Sequence, residues 1–349
     1  MRIALVILNG DPRRGGAERY TVELATALRA RGHEASVIAS AGPADFTVEA
    51  AGWTRSGRYQ SFCRGVTKQF NRERFDLVHA MLPLAGVSVD VYHPHAGVAA
   101  NLGSRLGWLT NPRRRGFARA ESAHASDDRT TFITLSDYVG RKLRRTYPAI
   151  PEQRIFRLFN GVDVGRFTPE GPRVDLKRRP IALFVGNDWP RKGLAEVIRV
   201  LAAVPDVHLA VAGRAKTRVE TRYRLLAEKA GVADRVIWLG PRDDVPALYR
   251  SADVYCHASR HDPCSLATLE ALASGLPVVG TATDGATEAM TDGVHGRIVE
   301  RDGIAAGLLD VLQNQEAMRD ACLELRPQLA WSAHVDRLVE RYEALRADR

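Results

Sequence analysis

The sequence contains one pattern twice: an apolar run, a glycine-containing turn and an amphipathic helix. The first copy runs from "RIALVIL" into "GGAERYTVELATALRARGHE", and the second, near residue 180, runs from "RPIALFVGN" into "GLAEVIRVLAAV". A strand, a helix and a further strand in succession predict a parallel sheet with right-handed crossovers. The two copies therefore predict an α/β protein with two doubly wound, Rossmann-like domains. Such domains bind ligands at the carboxyl ends of their strands, here in a central cleft between the domains.

The segment between the two copies indicates a hinge. It reads "FNGVDVGRFTPEGPR" (159–173), with an Asn-Gly turn and two prolines. We expect a first domain over residues 1–165 and a second over residues 166–330. A last helix, in residues 331–349, has no strand after it, and we expect it to return to the first domain. The length of 349 residues is enough for two domains with separate cores.

Each domain contains further short apolar runs that predict buried strands. They lie at residues 35–40, 76–81, 87–93 and 131–136 in the first domain, and at 207–213, 236–240, 252–259, 276–281 and 296–300 in the second. The opening apolar run, Ile3–Leu8, is too short for a signal peptide or a membrane span. The four cysteines lack the spacing of a metal site or a disulfide framework, so we expect a cytoplasmic protein.

The positive charge of the chain is concentrated in its first half. Residues 1–170 contain 25 Lys and Arg against 16 Asp and Glu, whereas residues 171–349 contain 25 of each. The basic residues are dense in 111–116 and 140–145 and among the arginines from Arg55 to Arg74. A basic half suits nucleic acid, an anionic membrane surface or an acidic substrate. A solvated basic face without a ligand is the fourth interpretation.

The second copy of the pattern presents two cations at its turn. In "VGNDWPRKG" (185–193) the strand ends at Gly186, and Arg191 and Lys192 come just before the helix. Fixed positive charges beside the free N–H groups of a helix N-terminus suit a diphosphate. A pair of solvated charges near a helix start is the alternative interpretation.

A second candidate segment is "DPCSLATLEALASGLPVV" (262–279). Its loop leads into a helix predicted from Ala267 to Ser274, with Gly275 at the C-terminal cap. Asp262 precedes this helix and Glu270 lies within it. A carboxylate can accept hydrogen bonds from two neighbouring sugar hydroxyls, so this pair suits a ribose and a hexose. An ordinary helix with one exposed glutamate fits the segment equally well.

Two short segments of the first domain are also candidates. Gly15 and Gly16 follow the first strand, where glycine allows a phosphate or sugar to approach the backbone or simply makes a tight turn. His93 and His95 flank a proline at the end of another strand. Their spacing fits a metal site only with a third ligand, which the sequence does not offer, so a polar contact with a ligand or a structural hydrogen bond is expected.

Seven segments in the same order resemble one known family. They are "GGAERYTVELATALRARGHE", "FITLSDYVGRKL", "FNGVDVGRFTPE", "GNDWPRKG", "RDDVPALYRSADVYCHAS", "DPCSLATLEALASGLPVV" and "TEAMTDGVHGRIVE". Together they resemble retaining glycosyltransferases of the GT-B fold, family 4 type. Within that family, "GNDWPRKG" and the basic first domain look most like the lipopolysaccharide-core glucosyltransferases.

The resemblance implies a role for each candidate residue. Arg191 and Lys192 would neutralise the nucleotide diphosphate in place of a metal, and the chain has no Asp-x-Asp sequence. Asp262 would contact the donor sugar, and His95 would lie near that sugar and the leaving phosphate. The remaining donor-binding residues implied are Gly15, Gly16, Arg166, Gly186, Cys264, Ser265, Leu266 and Glu270, the last of which would hold the ribose.

Asp262 departs from the family pattern, which usually has Glu at this position. The shorter side chain withdraws the carboxylate by one methylene, so the identity of the donor hexose is open. The resemblance implies UDP-glucose first, with GDP-mannose and other UDP-hexoses behind it. A nucleophilic role for Asp262 is the alternative to hydroxyl binding.

The resemblance implies retaining transfer of a hexosyl unit to a glycan or lipid-linked acceptor, without a cofactor. In similar enzymes the first domain docks on the inner face of the cytoplasmic membrane. The segment 111–128, which follows Leu102, Leu106, Trp108 and Leu109, suits such a peripheral contact with anionic lipid. Two other functions are alternatives: a nucleotide-sugar-binding protein without transfer activity, and a polyanion-binding α/β protein. Nucleic acid is not an expected partner, because the stacking platform and helix-turn-helix pattern are missing from the sequence.

Overall fold

The computed structural model describes residues 1–95, 97–99 and 111–348. The described chain forms two compact units. The first consists of Met1–Leu158 and Val335–Arg349, and the second of Phe159–His334. Each unit contains one parallel sheet with helices around it, which confirms the predicted α/β architecture. The limits at residues 165 and 330, and the assignment of acceptor and donor domains, stay predictions.

The first unit contains a seven-stranded sheet, ordered β3-β2-β1-β4-β5-β6-β7, in which every pairing is parallel. Its strands are β1 (Arg2–Val6), β2 (Glu34–Ala39), β3 (Phe46–Thr47), β4 (Leu77–Ala80), β5 (Val91–Tyr92), β6 (Thr131–Thr134) and β7 (Ile155–Arg157). Its helices before residue 159 are α1 (Gly16–Ala30), α2 (Arg55–Gln69), α3 (Pro112–Ser126) and α4 (Asp137–Thr146).

The second unit contains a six-stranded parallel sheet, ordered β10-β9-β8-β11-β12-β13. Its strands are β8 (Ile181–Val185), β9 (His208–Ala212), β10 (Val236–Gly240), β11 (Val254–His257), β12 (Val278–Thr281) and β13 (Gly296–Val299). Its helices are α5 (Leu194–Val200), α6 (Thr217–Lys229), α7 (Val245–Ser251), α8 (Leu266–Ala273), α9 (Ile304–Gln313) and α10 (Gln315–Leu329). The last helix, α11 (Trp331–Ala347), begins in the second unit and continues in the first from Val335.

Apolar periodicity explains why these elements pack as they do. In the first unit, α1 buries Leu24, Ala25 and Leu28 at helical spacing, and Gly32, with φ of 79°, follows its end. In the second unit, β8 is buried from Ile181 to Phe184, as expected for a strand covered on both faces. Each unit thus has its own core between sheet and helices.

The strand orders define where ligands are expected to bind. In the first sheet the winding reverses between β1 and β4, and in the second between β8 and β11. Open α/β sheets bind ligands outside the carboxyl ends of the strands at such a switch point. In the second unit this point brings together the loops that follow β8 and β11. Those loops contain Arg191, Lys192 and Asp262.

Candidate active site

The turn after β8 is shaped by two glycines and a buried tryptophan. A Cβ on Gly186 would lie 2.3 Å from Cδ of Lys192, so the glycine leaves room for the lysine side chain. Gly193 has φ of 73°, and a Cβ there would lie 1.8 Å from the carbonyl oxygen of Ala258. Trp189 is buried and donates its indole N–H to the Gly186 carbonyl oxygen at 2.9 Å. These contacts hold the turn against the loop after β11.

Arg191, Lys192 and Asp262 form one ion cluster. Asp262 Oδ2 lies 2.8 Å from Nη1 of Arg191 and 3.5 Å from Nζ of Lys192. Arg191 also donates from Nε to Asp188 Oδ2 at 3.1 Å, and Lys192 donates to Ser265 Oγ at 3.2 Å. Burial alone lowers the pKa of Arg191, but Asp262 and Asp188 outweigh it and raise that pKa. The structure therefore brings together three residues that lie up to 71 positions apart in the sequence.

The loop from Asp262 to Ser265 is attached to the loop that follows β12. The Asp262 N–H donates to the Thr283 carbonyl oxygen at 3.0 Å, and the Gly285 N–H donates to the Asp262 carbonyl oxygen at 2.9 Å. Ser265 then begins α8 as its N-cap residue. Cys264 is buried and Leu266 is 41% exposed. Cys264, Ser265 and Leu266, which the family resemblance implies as donor-binding residues, thus lie in a loop and a first helical turn beside the ion cluster.

The buried side chain of Asp284 fixes this loop by hydrogen bonds, and the sequence interpretation missed it. Its buried carboxylate accepts from the Ser265 N–H at 3.0 Å, from Thr268 Oγ1 at 2.6 Å and from His257 Nδ1 at 3.0 Å. Burial alone raises the pKa of this carboxyl, but the contacts with His257, Thr268 and Ser265 together outweigh it, and the pKa lies below its usual value. The only sequence signal was the position of Asp284, three residues after the end of β12 and directly before Gly285.

Glu270 lies in α8 and accepts a hydrogen bond from the phenol of Tyr249. Tyr249 Oη is 3.0 Å from Glu270 Oε2, and burial raises the pKa of Tyr249 well above its usual value. The ring of Phe167 lies 5.9 Å from that of Tyr249, and the Arg166 guanidinium lies over Phe167 at 5.3 Å. Arg166 is exposed and is connected to Glu270 through these two rings.

A cavity of about 860 Å³ opens beside the turn after β8. Its walls include the residues that follow β8, β9 and β10, among them Gly186, Asn187 and Arg214. Asn187 Oδ1 accepts from the Arg214 N–H at 2.7 Å, which ties the first two of these loops together. The cavity volume is within the range of about 300–1,000 Å³ typical of small-molecule sites.

The first-unit candidates lie near one another. Gly15 is the N-cap residue of α1 and Gly16 is its first residue. Tyr20, in the same helix, has ring contacts with His93 and His95 at 5.2 and 4.6 Å. The two histidine rings stack at 4.0 Å, and His93 is fully buried whereas His95 is half-buried.

Two further predictions meet the structure only in part. Residues 112–126 form α3, whose Arg113, Arg114 and Arg115 are half-buried. The apolar residues expected beside them, Leu102, Leu106, Trp108 and Leu109, lie outside the described residues. Among the described helices, none combines the length and apolar character needed to cross a bilayer. Among all the residues that the structure describes, no cluster of three or more His, Cys, Asp or Glu residues is placed to hold a metal ion.

Two family models match the chain. Glycosyltransferase Family 4 matches residues 14–166, and Glycosyl transferases group 1 matches residues 172–324. A D-inositol 3-phosphate glycosyltransferase of Mycolicibacterium vanbaalenii is 30% identical over 311 residues, 78% of this chain and 68% of the relative. The chain belongs to the glycosyltransferase family that these two models describe. With another such relative, from Mycolicibacterium gilvum, it is 32% identical over 64% of its own length, and it spans only about half of that relative, 53%.

Relatives and solved structures with coverage of about nine tenths or more have other names. The lipopolysaccharide glucosyltransferase WaaG of Escherichia coli is 24% identical, with 91% of this chain and 89% of the relative covered. Among solved structures, WaaG has a TM-score of 0.74 at 22% identity, covering 97% of this chain and 99% of that chain. The sucrose-phosphate synthase of Thermosynechococcus elongatus has a TM-score of 0.80 at 20% identity, with full coverage of both chains. The fold of this glycosyltransferase is therefore GT-B, as the sequence predicted.

Proposed function

We propose that the protein transfers a hexosyl unit from a nucleotide-diphosphate sugar to a hydroxyl of a glycan or lipid-linked acceptor, with retention of configuration. The observation that carries this proposal is the cluster of Arg191, Lys192 and Asp262 at the switch point of the second sheet. Two cations and one carboxylate provide what a sugar diphosphate needs: charge for its phosphates and an acceptor for its hydroxyls.

The two cations act on the leaving group in this proposal. Negative charge develops on the diphosphate as the bond to the sugar breaks, and fixed cations stabilise that charge most where water is scarce. The Lys192 side chain is only 12% exposed and is oriented by Asp262 and Ser265. We propose that Arg191 and Lys192 take the place of a metal ion and that no cofactor is required.

The geometry of Asp262 favours hydroxyl binding over nucleophilic attack. Both cations contact the same oxygen, Oδ2. Oδ1 has no hydrogen bond or ion pair with any of the residues that the structure describes. The second oxygen can therefore accept from a sugar hydroxyl while the first keeps the cations in place. A carboxylate whose charge is shared with two cations is a weak nucleophile, because attack would remove the charge that both cations contact.

The cavity beside the β8 turn suits the nucleoside of the donor. It begins at Gly186, next to the two cations, and Glu270 is the carboxylate we propose for the ribose. Gly15, Gly16, His95 and Arg166 keep their proposed donor contacts from the family resemblance. UDP-glucose is the first donor we propose, since WaaG is named a glucosyltransferase and Anabaena HepE, with a TM-score of 0.72, was solved with UDP-glucose.

The site of action we propose is the inner face of the cytoplasmic membrane, where lipid-linked acceptors of cell-envelope polysaccharide or lipopolysaccharide synthesis are made. The supporting feature is the surplus of positive charge in residues 1–170, which anionic lipid attracts. Sedimentation with vesicles tests this: a preference for anionic over neutral lipid is expected, and equal binding to both contradicts it.

The role of the cations is tested with Lys192→Ala and a matched control, Lys229→Ala. Both variants remove one lysine from the second unit, but Lys229 is exposed at the end of α6, far along the chain from the site loops. We expect Lys192→Ala to lower the rate of sugar transfer by about 100-fold or more, since it removes a charge that acts on the leaving group. Lys229→Ala should transfer sugar at the wild-type rate.

The donor is identified by thermal-shift measurements with a panel of nucleotide sugars, followed by transfer assays with the one that stabilises most. Stabilisation without any transfer or donor hydrolysis would indicate a nucleotide-sugar-binding protein instead of an enzyme.

Unchanged transfer in Lys192→Ala would contradict the role proposed for Lys192 in stabilising the diphosphate. Both variants need an unfolding curve like that of the wild type for the comparison to hold.

A further inference from the structure

A cavity of about 760 Å³ lies in the first unit, and every described residue that lines it belongs to that unit. Ile7, Ser40 and Met81 line it, and each comes directly after a strand: β1, β2 and β4 respectively. The first turn of α1 also contributes, with Ala17 and Glu18. The cavity therefore occupies the switch point of the first sheet, where an open α/β sheet is expected to bind a ligand.

Four arginines line this cavity: Arg14, Arg55, Arg58 and Arg113. Among the described residues that line the cavity, Glu18 is the only carboxylate. Within the described residues, none of the four arginines forms an ion pair with a carboxylate. Other arginines of the same unit do form such pairs: Arg2, Arg13, Arg29, Arg31, Arg72, Arg144, Arg154 and Arg157. The positive charge at the cavity thus lacks the compensation found elsewhere in the unit.

The arginines also stand where helix dipoles disfavour them. Arg55 and Arg58 belong to the first turn of α2, and Arg113 to the first turn of α3, both helices of 15 residues. Neither first turn contains an acidic residue. A cation near a helix N-terminus is repelled by the positive end of the helix dipole, and an anion bound there would remove the repulsion.

Arg113 is the clearest example of an uncompensated arginine at this cavity. Its guanidinium is half-buried over the ring of Phe117 at 5.0 Å, and its buried Nε has no hydrogen-bond partner in the described structure. Burial and the neighbouring charge of Arg55 both lower the pKa of Arg113. An unpartnered guanidinium N–H beside a second arginine is expected where an anionic ligand completes the site.

We propose that this cavity binds the acidic group of the acceptor, a phosphate or a carboxylate, so that the acceptor is an anionic glycan, polyol or lipid headgroup. The inference rests on the proposed transfer function and narrows its acceptor class. Guanidinium groups recognise phosphate and carboxylate oxygens with paired N–H donors, and apolar neighbours such as Leu82 and Phe117 suit the face of a sugar or polyol ring. For these four arginines, among the possible meanings of the basic first half, an acidic substrate fits best.

Binding of inorganic phosphate and of D-inositol 3-phosphate, measured by calorimetry at constant ionic strength, tests the proposal. The variant is Arg55→Ala with Arg58→Ala. Its control is Arg64→Ala with Lys68→Ala, which removes the same charge from exposed positions of the same helix outside the cavity. We expect the cavity variant to weaken binding of at least one probe by about tenfold or more, since charge-assisted hydrogen bonds are lost. The control should bind as the wild type does.

Vesicles containing phosphatidylinositol distinguish a lipid headgroup from a soluble acceptor. If the headgroup is the ligand, the cavity variant loses vesicle binding and the control keeps it. Equal losses in the two variants would indicate a general surface attraction and overturn the proposal. Failure of both soluble probes and vesicles to distinguish the variants would also overturn it.

Binding of UDP is measured on every variant, because the proposed nucleotide site lies in the second unit. Normal UDP binding with loss of the acidic probe supports the cavity assignment and shows that the variant is folded. Normal UDP binding without any effect of the arginines overturns the cavity assignment and leaves the proposed transfer function intact. Absence of both UDP and GDP binding in the wild type contradicts the transfer function, while the phosphate titration still reports on the cavity.

Discussion

Asp262 contributes to the site through both its side chain and its main chain. Its Oδ2 contacts Arg191 and Lys192, and its backbone N–H and carbonyl oxygen attach the loop to Thr283 and Gly285. The side chain is therefore fixed by charge and the main chain by hydrogen bonds. A change at this residue affects both the position of the cations and the contact proposed for the donor sugar.

Asp262→Asn and Asp262→Glu separate the possible roles of this residue. We expect the Asn variant to lower kcat/KM for the donor by about 10- to 100-fold, because charge-assisted hydrogen bonds worth roughly 1.5–3 kcal/mol are lost. The Glu variant keeps the charge and is the residue usual in similar enzymes, so it should recover most of the activity. Steady-state kinetics with the identified donor measures both. Complete loss of transfer in both folded variants would instead indicate a nucleophile, whose reach the extra methylene spoils.

Other residue-scale features are invisible without the structure. His257 is the last residue of β11 and Asp284 lies 27 positions later, so their contact depends on adjacent strands and not on local pattern. Tyr249 likewise meets Glu270 only because α7 and α8 pack in one unit. Sequence reasoning found the residues of the ion cluster, which follow strands, and it missed the buried residues that hold them.

At the scale of elements, the turn between β8 and α5 controls the position of both cations. Gly193 begins α5 with φ of 73°, and its backbone lies against the Ala258 carbonyl group. The close approach joins the loops that follow β8 and β11, the two strands at the switch point. Only a residue without a side chain fits this approach.

Gly193→Ala therefore has two costs, the left-handed backbone and the contact of the new Cβ with Ala258. We expect it to lower the free energy of unfolding by about 3 kcal/mol or more. Gly231→Ala is the matched control, because Gly231 has φ of 68° in the same unit but open space around its Cβ position. It should cost only about 1–2 kcal/mol. Urea unfolding followed by tryptophan fluorescence measures both, and equal costs would show that the approach to Ala258 is unimportant.

The elements themselves were largely predictable. The apolar runs predicted β1, β2, β4, β6 and the strands of the second sheet, because strands buried on both faces read as continuous apolar segments. The run at 87–93 forms a strand only at Val91–Tyr92. Val89 is also buried, which accounts for the apolar pattern, but it lies outside the hydrogen-bonded strand. β3 and β7 were missed: both are short edge strands, exposed or half-buried, and lack an apolar signal.

At the scale of the whole molecule, charge is divided between the two halves of the chain. Residues 1–170 hold the entire surplus of +9, and the remainder is neutral. The same division holds at the two candidate sites. In the second unit Arg191 and Lys192 face Asp188 and Asp262, whereas in the first unit four arginines share their cavity with Glu18 alone. The first site should therefore attract anions over a longer distance than the second.

Salt dependence measures this division. Raising NaCl from about 0.05 to 0.3 M shortens the Debye length from roughly 14 to 6 Å, which screens attraction between charges that lack close partners. We expect the affinity for inorganic phosphate to fall by about fivefold or more over this range, and the affinity for UDP to fall by less than about twofold. Calorimetric titrations of the same protein preparation with each ligand give the comparison. In Arg55→Ala with Arg58→Ala, the phosphate affinity should become both weaker and less sensitive to salt. Equal salt dependence for the two ligands would mean that the charge surplus of the first half is spread over its surface and does not converge on the arginine-lined cavity.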